Sequence, residues 1–280
     1  MVSNLLQLLR VKDWSKNVFI WAPIIFSGHF NFYNEVLDVF VVTIFFSIVS
    51  SCIYIFNDIH DYDDDRLHTV KSKSKPIANG DVSVNNAYIF FIILFLLFNL
   101  CWLFNSNVAI VLNLYFIINI IYTLKIKQIV ILDIFAISTG FLLRIFAGGL
   151  VINVQPSALM LITTLSLALF LSGIKRKSEL VMFGCHSRSV LSKYSIHLLD
   201  FIIQTSLICC IVFYTFFTIS ANPEFILTVP LVMYCFFRYI YLFDKYDLSL
   251  SPFDTISKDI HLVITIIIWF LMTCYFIGAI

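Results

Sequence analysis

The chain has 280 residues, 60% of them hydrophobic and only 12% charged, with a formal net charge of +1. A soluble domain carries about 25% charged residues, so this composition excludes an ordinary soluble protein and indicates a polytopic membrane protein. The charges are segregated along the chain, so the net value identifies no partner beyond the membrane itself, and nucleic acid is not expected as one.

At the amino terminus Arg10, Lys12 and Lys16 precede an apolar run over 18–26. A signal peptide shares this pattern, but Pro23 interrupts the run and further spans follow, so a retained first helix is expected. Nine apolar segments have spanning length: 16–31, 36–57, 84–104, 107–124, 129–152, 155–174, 200–220, 223–243 and 260–279. The first fifteen residues and the loops 58–83, 125–128, 175–199 and 244–259 hold nearly every Lys and Arg. The loops near 32–35, 105–106, 153–154 and 221–222 hold none. Positive residues stay on the cytoplasmic side. The amino terminus is therefore expected inside, the carboxyl terminus outside and the polar chemistry at the cytoplasmic face of the cell membrane. No linker or composition shift divides the chain, so 1–280 reads as a single transmembrane domain. The cysteines in the apolar runs show no metal-like spacing and read as small hydrophobes.

Four constellations carry possible chemistry. The first is Arg10-Val11-Lys12-Asp13-Trp14-Ser15-Lys16-Asn17. Arg10, Lys12 and Trp14 read as an interfacial anchor; Lys16 and Asn17, at the mouth of the first span, are candidates for binding phosphate. The second follows the second span: Asn57-Asp58-Ile59-His60-Asp61-Tyr62-Asp63-Asp64-Asp65-Arg66 holds five of the seventeen acidic residues. On a continuing helix Asp58, Asp61 and Asp65 fall at i, i+3 and i+7 and share a face, with Asn57 one turn from Asp61. Two readings stay open: a solvated acidic helix end, or a Mg²⁺ site completed by substrate phosphates, since Mg²⁺ uses one or two carboxylates together with them. Lys71 and Lys75 follow in the same loop, where they can clamp a diphosphate or simply mark the positive-inside loop.

The third constellation is Tyr122 to Lys127, the tight link into the fifth span, with Lys125 and Lys127 as its cations. Asp133 and Arg144 then lie eleven residues apart in that span, on one face and about 16 Å apart along the axis. An intramembrane Arg costs several kcal/mol on insertion scales (about 2.5–3.5) and marks a cavity or a salt bridge. Gly140, Gly148 and Gly149 permit close helix packing. The fourth is Lys175-Arg176-Lys177-Ser178-Glu179, either a basic helix end with a surface ion pair or a second anion-binding wall. Residues 249–259, with Asp254, Lys258 and Asp259, read as a solvated loop. No nucleophile triad, HExxH or Walker loop is present.

At these residues the chain resembles the UbiA superfamily of intramembrane prenyltransferases. Asn57, Asp58, Asp61 and Asp65 fit its N-D-x-x-D-x-x-x-D signature. Lys75-Pro76-Ile77-Ala78-Asn79-Gly80 is similar to the R-P-I-x-x-G that follows, with Lys for Arg, and Tyr122 to Lys125 is similar to its Y-x-x-x-K loop. The resemblance implies an all-α fold of nine transmembrane helices around a central cavity open to the cytoplasmic side. Within the superfamily the subgroup that transfers phosphoribosyl to polyprenyl phosphate is the most similar. It shares the opening Arg10, Lys12, Trp14, Lys16 and Asn17, the Asp133, Arg144, Ala147, Gly148 and Gly149 pattern, and, with one residue inserted, the element from Gly173 to Leu180. A basic element stands where aromatic prenyltransferases carry a second Asp-rich motif.

The resemblance implies a membrane transferase using Mg²⁺ held by Asp58, Asp61 and Asp65. Phosphoribosyl diphosphate would be the donor and a polyprenyl phosphate the acceptor. Asp58, Asp61, Asp65 and Arg144 are the implied catalytic residues. Lys16, Asn17, Asn57, Arg66, Lys71, Lys75, Tyr122, Lys125, Lys127, Asp133, Lys175, Arg176 and Glu179 are the implied substrate-binding residues. Two alternatives stand beside it: prenyl transfer from a prenyl diphosphate to an aromatic or other small acceptor, and a non-catalytic transporter or lipid-binding protein.

Overall fold

The computed structural model describes residues 2–67, 72, 75–183, 190–245 and 252–278, and these form helices, with no strand among them. In chain order they are α1 (Val2–Leu9), a 3₁₀ segment (Val11–Trp21), α2 (Ala22–Phe26), α3 (Tyr33–His60), α4 (Tyr62–Leu67), α5 (Val84–Asn99), α6 (Cys101–Phe104) and α7 (Ser106–Leu124). Then follow α8 (Leu132–Val151), α9 (Ala158–Phe183), α10 (Ile196–Ala221), α11 (Val229–Lys245), α12 (Pro252–Lys258) and α13 (Ile260–Ile277). Helix starts follow from side-chain caps. Ser83 accepts from the Asn86 amide, Asn105 from those of Asn107 and Val108, Ser195 from that of Leu198 and Asp259 from that of Leu262, each satisfying a donor that the first turn leaves without an intrahelical partner.

Eight helices among the described residues are long and apolar enough to cross a membrane, and the chain is a multi-pass membrane protein. Their outward faces carry large apolar side chains such as Ile92, Leu96, Leu103 and Phe201, which lipid rather than water must cover. The first expected segment, 16–31, is built differently. It runs as the 3₁₀ segment directly into α2, whose second residue is Pro23. A 3₁₀ helix rises about 2.0 Å per residue against 1.5 Å in an α-helix. Over 16–26 the two pieces therefore have a contour of about 20 Å.

The chain divides into two compact units. One comprises 1–23, 33–127 and 143–155, the other 24–32, 128–142 and 156–280; α8 gives its first half to the second unit and its second half to the first. In the first unit, α3 is the central element. Its buried Val39, Val42, Phe46, Val49 and Ile53 join Ala87, Leu94 and Phe98 of α5 and Val108, Leu112 and Tyr115 of α7. Phe91, Phe95, Phe98 and Phe116 interlock there at 5.3–6.4 Å between ring centroids. The second unit is built on the α9–α10 pair. Its core contains Phe170, Ile174, Ile203, Cys210, Phe236, Tyr239, Leu242 and Leu262. Gly173 admits the close approach of α10: a Cβ there would stand 3.0 Å from the Ile203 side chain. The cysteines described are free thiols, four of them buried, in keeping with the reading as small hydrophobes.

Candidate functional site

A single polar stripe organises the first unit. Ser47, Ser51, Tyr54 and Asp58 recur at the i, i+4, i+7 and i+11 positions of α3 and share a face. The 3₁₀ segment lies antiparallel against this stripe. Trp14 Nε1 donates to Ser51 Oγ at 3.0 Å and Asn17 Nδ2 to Ser47 Oγ at 2.9 Å. The register is a matter of rise: three 3₁₀ residues and four α-helical residues both advance about 6 Å, so positions 14 and 17 meet 51 and 47 in step. Trp14 and Arg10 are therefore more than an interfacial anchor. Trp14 is tied to the stripe, and Arg10 Nη2 donates to Asp58 Oδ1 at 2.6 Å.

The acidic end of the stripe is held together through cations. The backbone continues almost as one helix across the α3–α4 junction, since the Asp61 amide donates to the Asn57 carbonyl and the Asp65 amide to the Asp61 carbonyl. Asp58 and Asp65, both buried, face the same ammonium group: Lys75 Nζ stands 2.7 Å from Asp58 Oδ1 and 2.5 Å from Asp65 Oδ2. Asp61 turns instead to Lys127 and to His60 Nδ1. The expected row is thus brought together but divided two and one. Burial alone would push the Asp61 carboxyl up; hydrogen bonds from Lys127 and His60, with the charges of Lys127 and Lys75, outweigh it and hold it below the ordinary carboxylate value.

Of the remaining expected residues in this unit, Asn57 accepts from Thr123 Oγ1 at 3.4 Å, which ties the end of α3 to the end of α7 beside the half-buried Tyr122. Lys127 reaches the acidic end while Lys125 is exposed. Arg66 is exposed and donates to the Tyr62 hydroxyl of its own helix at 3.2 Å. Lys71 lies outside the described residues. Lys16 Nζ donates to Asp13 at 2.6 Å and stands 3.4 Å from the Tyr54 hydroxyl.

Deeper along the stripe Asn17 accepts from Arg144 Nε at 2.9 Å, and Arg144 Nη2 donates to the Tyr115 hydroxyl at 2.9 Å. The guanidinium also lies over the rings of Phe46 and Tyr115, 5.0 and 4.9 Å from their centroids. This buried Arg is held by an amide, a phenol and two aromatic faces.

In the second unit Asp133 accepts from Arg176 Nε at 2.7 Å and from the Tyr194 hydroxyl at 2.6 Å, while Arg176 Nη1 donates to Glu179 at 2.6 Å. Asp133 and Arg176 are 0% and 1% exposed. Arg176 therefore sits between two carboxylates. Glu179 pairs with Arg176, and Lys175 is exposed. Tyr194 also accepts from the Ile131 amide at 2.7 Å, bracing a β-branched residue at φ +70°, a conformation such residues rarely adopt. Burial, with Asp133 beside it, pushes the Tyr194 hydroxyl well above its ordinary value. Asp259, read as part of a solvated loop, caps α13 and pairs with Arg238 at 2.8 Å.

Sequence reasoning missed Tyr54, Tyr115, Thr123 and Tyr194. Tyr54 had a usable signal, one turn before Asp58. Tyr115 and Tyr194 had none, because their partners lie 29 and 61 residues away.

The family model described as the UbiA prenyltransferase family matches residues 18–252. The chain belongs to this family. Curated UbiA-family relatives include decaprenyl-phosphate phosphoribosyltransferase of Mycolicibacterium smegmatis, 30% identical over 79% of this chain and 72% of the relative. The enzyme of the same name from Corynebacterium glutamicum is 30% identical over 72% of this chain and 63% of its own length. Among solved structures, a UbiA homologue from Archaeoglobus fulgidus bound to GPP and Mg²⁺ superposes with a TM-score of 0.72 at 18% identity, covering 99% of each chain. A structure of digeranylgeranylglyceryl phosphate synthase gives 0.68 at 18% identity, covering 99% and 98%. These structures establish the UbiA fold for the chain. The residues that the resemblance singled out as an Asp-rich signature lie along the charged stripe of α3 and α4.

Among the described residues no group of three or more His, Cys, Asp or Glu is drawn together as a metal cluster. A donor set is nevertheless present. Asp58 and Asp65 converge on one cation, the Lys75 ammonium, and two carboxylates with substrate oxygens are what Mg²⁺ commonly takes. The residues fit that ion as a pair, with Asp61 one turn away.

Proposed function

We propose that this UbiA-family chain transfers a 5-phosphoribosyl group from phosphoribosyl diphosphate to a polyprenyl phosphate, releasing diphosphate, at the cytoplasmic face of the cell membrane. The observation that carries this reading is the first unit's polar stripe, which places Asp58 and Asp65 against Arg10 and Lys75, and Asp61 against Lys127, at one end and a buried Arg144 farther along it. The identity to two decaprenyl-phosphate phosphoribosyltransferases supports the substrate class.

In this reading Asp58 and Asp65 hold Mg²⁺, with Asp61 near them, and the ion when bound supplies charge neutralisation to the departing diphosphate. Lys75 and Lys127, already at the carboxylates, turn their remaining donors toward the donor's phosphate oxygens. Lys125 and Arg66, exposed at the same end, steer the anion in. Lys16 neutralises the donor's phosphates, and Arg144, held by Asn17, receives the acceptor's lipid phosphate. An oxygen of that phosphate forms the new bond to the anomeric carbon as the bond to diphosphate breaks. No proton need be removed from an acceptor that is already anionic, so the chain's contribution is orientation and electrostatic stabilisation of the leaving group. In the second unit, exposed Lys175 is the candidate for an anion contact.

The test uses purified protein in detergent or liposomes with Mg²⁺, labelled phosphoribosyl diphosphate and polyprenyl phosphate. Labelled lipid and free diphosphate are expected in equal amounts. Prenyl transfer remains the second reading, favoured by the Archaeoglobus structure bound to GPP. Label moving from prenyl diphosphate to an aromatic acceptor, with none from phosphoribosyl diphosphate, would establish it instead. Diphosphate release also separates catalysis from transport.

A further inference from the structure

Tyr54 belongs to none of the motifs above, yet two cations gather on it. The Arg10 guanidinium lies 5.0 Å from its ring centroid and the Lys16 ammonium 5.8 Å from it, with Lys16 also 3.4 Å from the hydroxyl. Arg10 is the residue just before the 3₁₀ segment and Lys16 lies on it, six positions later, while Tyr54 stands one turn before Asp58 on α3. The side chains of Arg10 and Lys16 remain 28% and 38% exposed, so both face accessible space.

We propose that Tyr54 is a positioning residue that sets affinity for the substrate diphosphate by fixing Arg10 and Lys16 on one aromatic ring. The physical reason lies in the kind of partner an aromatic face is. A ring attracts a cation through its quadrupole and fixes its place, but adds no negative charge. A carboxylate at position 54 would hold both cations equally well and cancel the field they direct at an arriving anion. Asp13 and Asp58 already take one ion pair each from Lys16 and Arg10; an uncharged third partner leaves the cluster able to draw diphosphate. The proposal rests on the phosphoribosyl-transfer reading for its substrate, but not for its anion.

The full-length protein is compared with Tyr54→Phe, which keeps the ring, and Tyr54→Leu, which removes it; Tyr54→Met replaces the latter if it does not fold. Binding of inorganic diphosphate with Mg²⁺ is measured by calorimetry, and KM and kcat by the labelled-donor assay. Removing the ring is expected to weaken diphosphate binding and raise the donor KM about tenfold. Under the same substitution kcat stays within about threefold and the KM for polyprenyl phosphate within about twofold. Tyr54→Phe is expected to stay within about threefold of wild type throughout. Equal effects of Phe and Leu, or a fall in kcat with unchanged diphosphate affinity, would overturn the role. Wild-type protein that binds diphosphate but transfers no phosphoribosyl group sinks the functional reading alone, and the calorimetric comparison still decides the role of Tyr54.

Discussion

Each carboxylate of the acidic signature has its own electrostatic surroundings, and substitutions there should separate. Asp61 is part-exposed and pairs with Lys127 and His60. Asp61→Asn is expected to abolish Mg²⁺-dependent turnover at a stability cost of about 1 kcal/mol. Asp58 is buried against both Arg10 and Lys75. Asp58→Asn takes the counter-charge from Arg10 and leaves Lys75 with Asp65 alone, so it should lose turnover and cost about 3 kcal/mol. Turnover assays beside thermal melts of the purified variants check both. The lowered Asp61 value also fixes a pH response. A carboxyl whose folded pKa lies below its unfolded one, about 3.9, adds stability above that value and loses it as pH falls through the folded value. The melting midpoint should therefore drop below about pH 4, and Lys127→Met should flatten that part of the profile by removing the main hydrogen bond holding the value down. A profile unchanged in Lys127→Met would show that Lys127 does not stabilise the Asp61 carboxylate.

The 3₁₀ segment is the element on which the first unit depends. Its matched rise against α3 places Trp14 on Ser51 and Asn17 on Ser47, and Asn17 then orients Arg144. Gly148 of α8 closes this arrangement from another side. A Cβ there would stand 1.9 Å from the Ile20 carbonyl oxygen, and a backbone atom cannot turn aside as a side chain can. Gly148→Ala is expected to push the segment off and cost about 3 kcal/mol, with loss of activity through misplaced Arg144. Gly173→Ala meets side chains, those of Ile203 at 3.0 Å and Ile202 at 3.6 Å, and should cost about 1 kcal/mol. Melting midpoints of the two variants, measured side by side, test this; equal values would show that the Ile20 backbone yields freely. The sequence marked Gly148 as a packing position, while Gly173 entered only as the start of the basic element. It did not show which one faces backbone, because that depends on a partner more than a hundred residues away in the chain.

At the scale of the molecule, the distribution of charge decides how the chain sits in a bilayer. The basic residues crowd the loops that alternate with nearly uncharged ones, and eight apolar helices together with the 3₁₀–α2 segment link them. The amino terminus and the acidic signature are expected on the cytoplasmic side and the carboxyl terminus outside. Reporter fusions at the two termini check this: an inside-active reporter should work at the amino end and an outside-active one at the carboxyl end. Activity of one reporter at both ends would mean that the first segment does not cross. Counting the spanning segments needed only hydropathy; recognising that the first is partly 3₁₀ needed the backbone, because a run broken by Pro23 reads the same in either form.

The sequence by itself determined the membrane class and gave the expected sidedness and the acidic row, since hydropathy, charge segregation and helical spacing are properties of residues close together along the chain. Only the tertiary structure decided which cation serves which carboxylate. Lys75 bridges Asp58 and Asp65, Lys127 rather than Lys125 takes Asp61, Arg10 leaves its anchoring role for Asp58, and Arg176 is held between Asp133 and Glu179. Arg10 and Asp58 are 48 residues apart, Lys127 and Asp61 are 66. Over such separations a flexible basic side chain has several acidic groups to choose from, and the choice is made by how the helices pack.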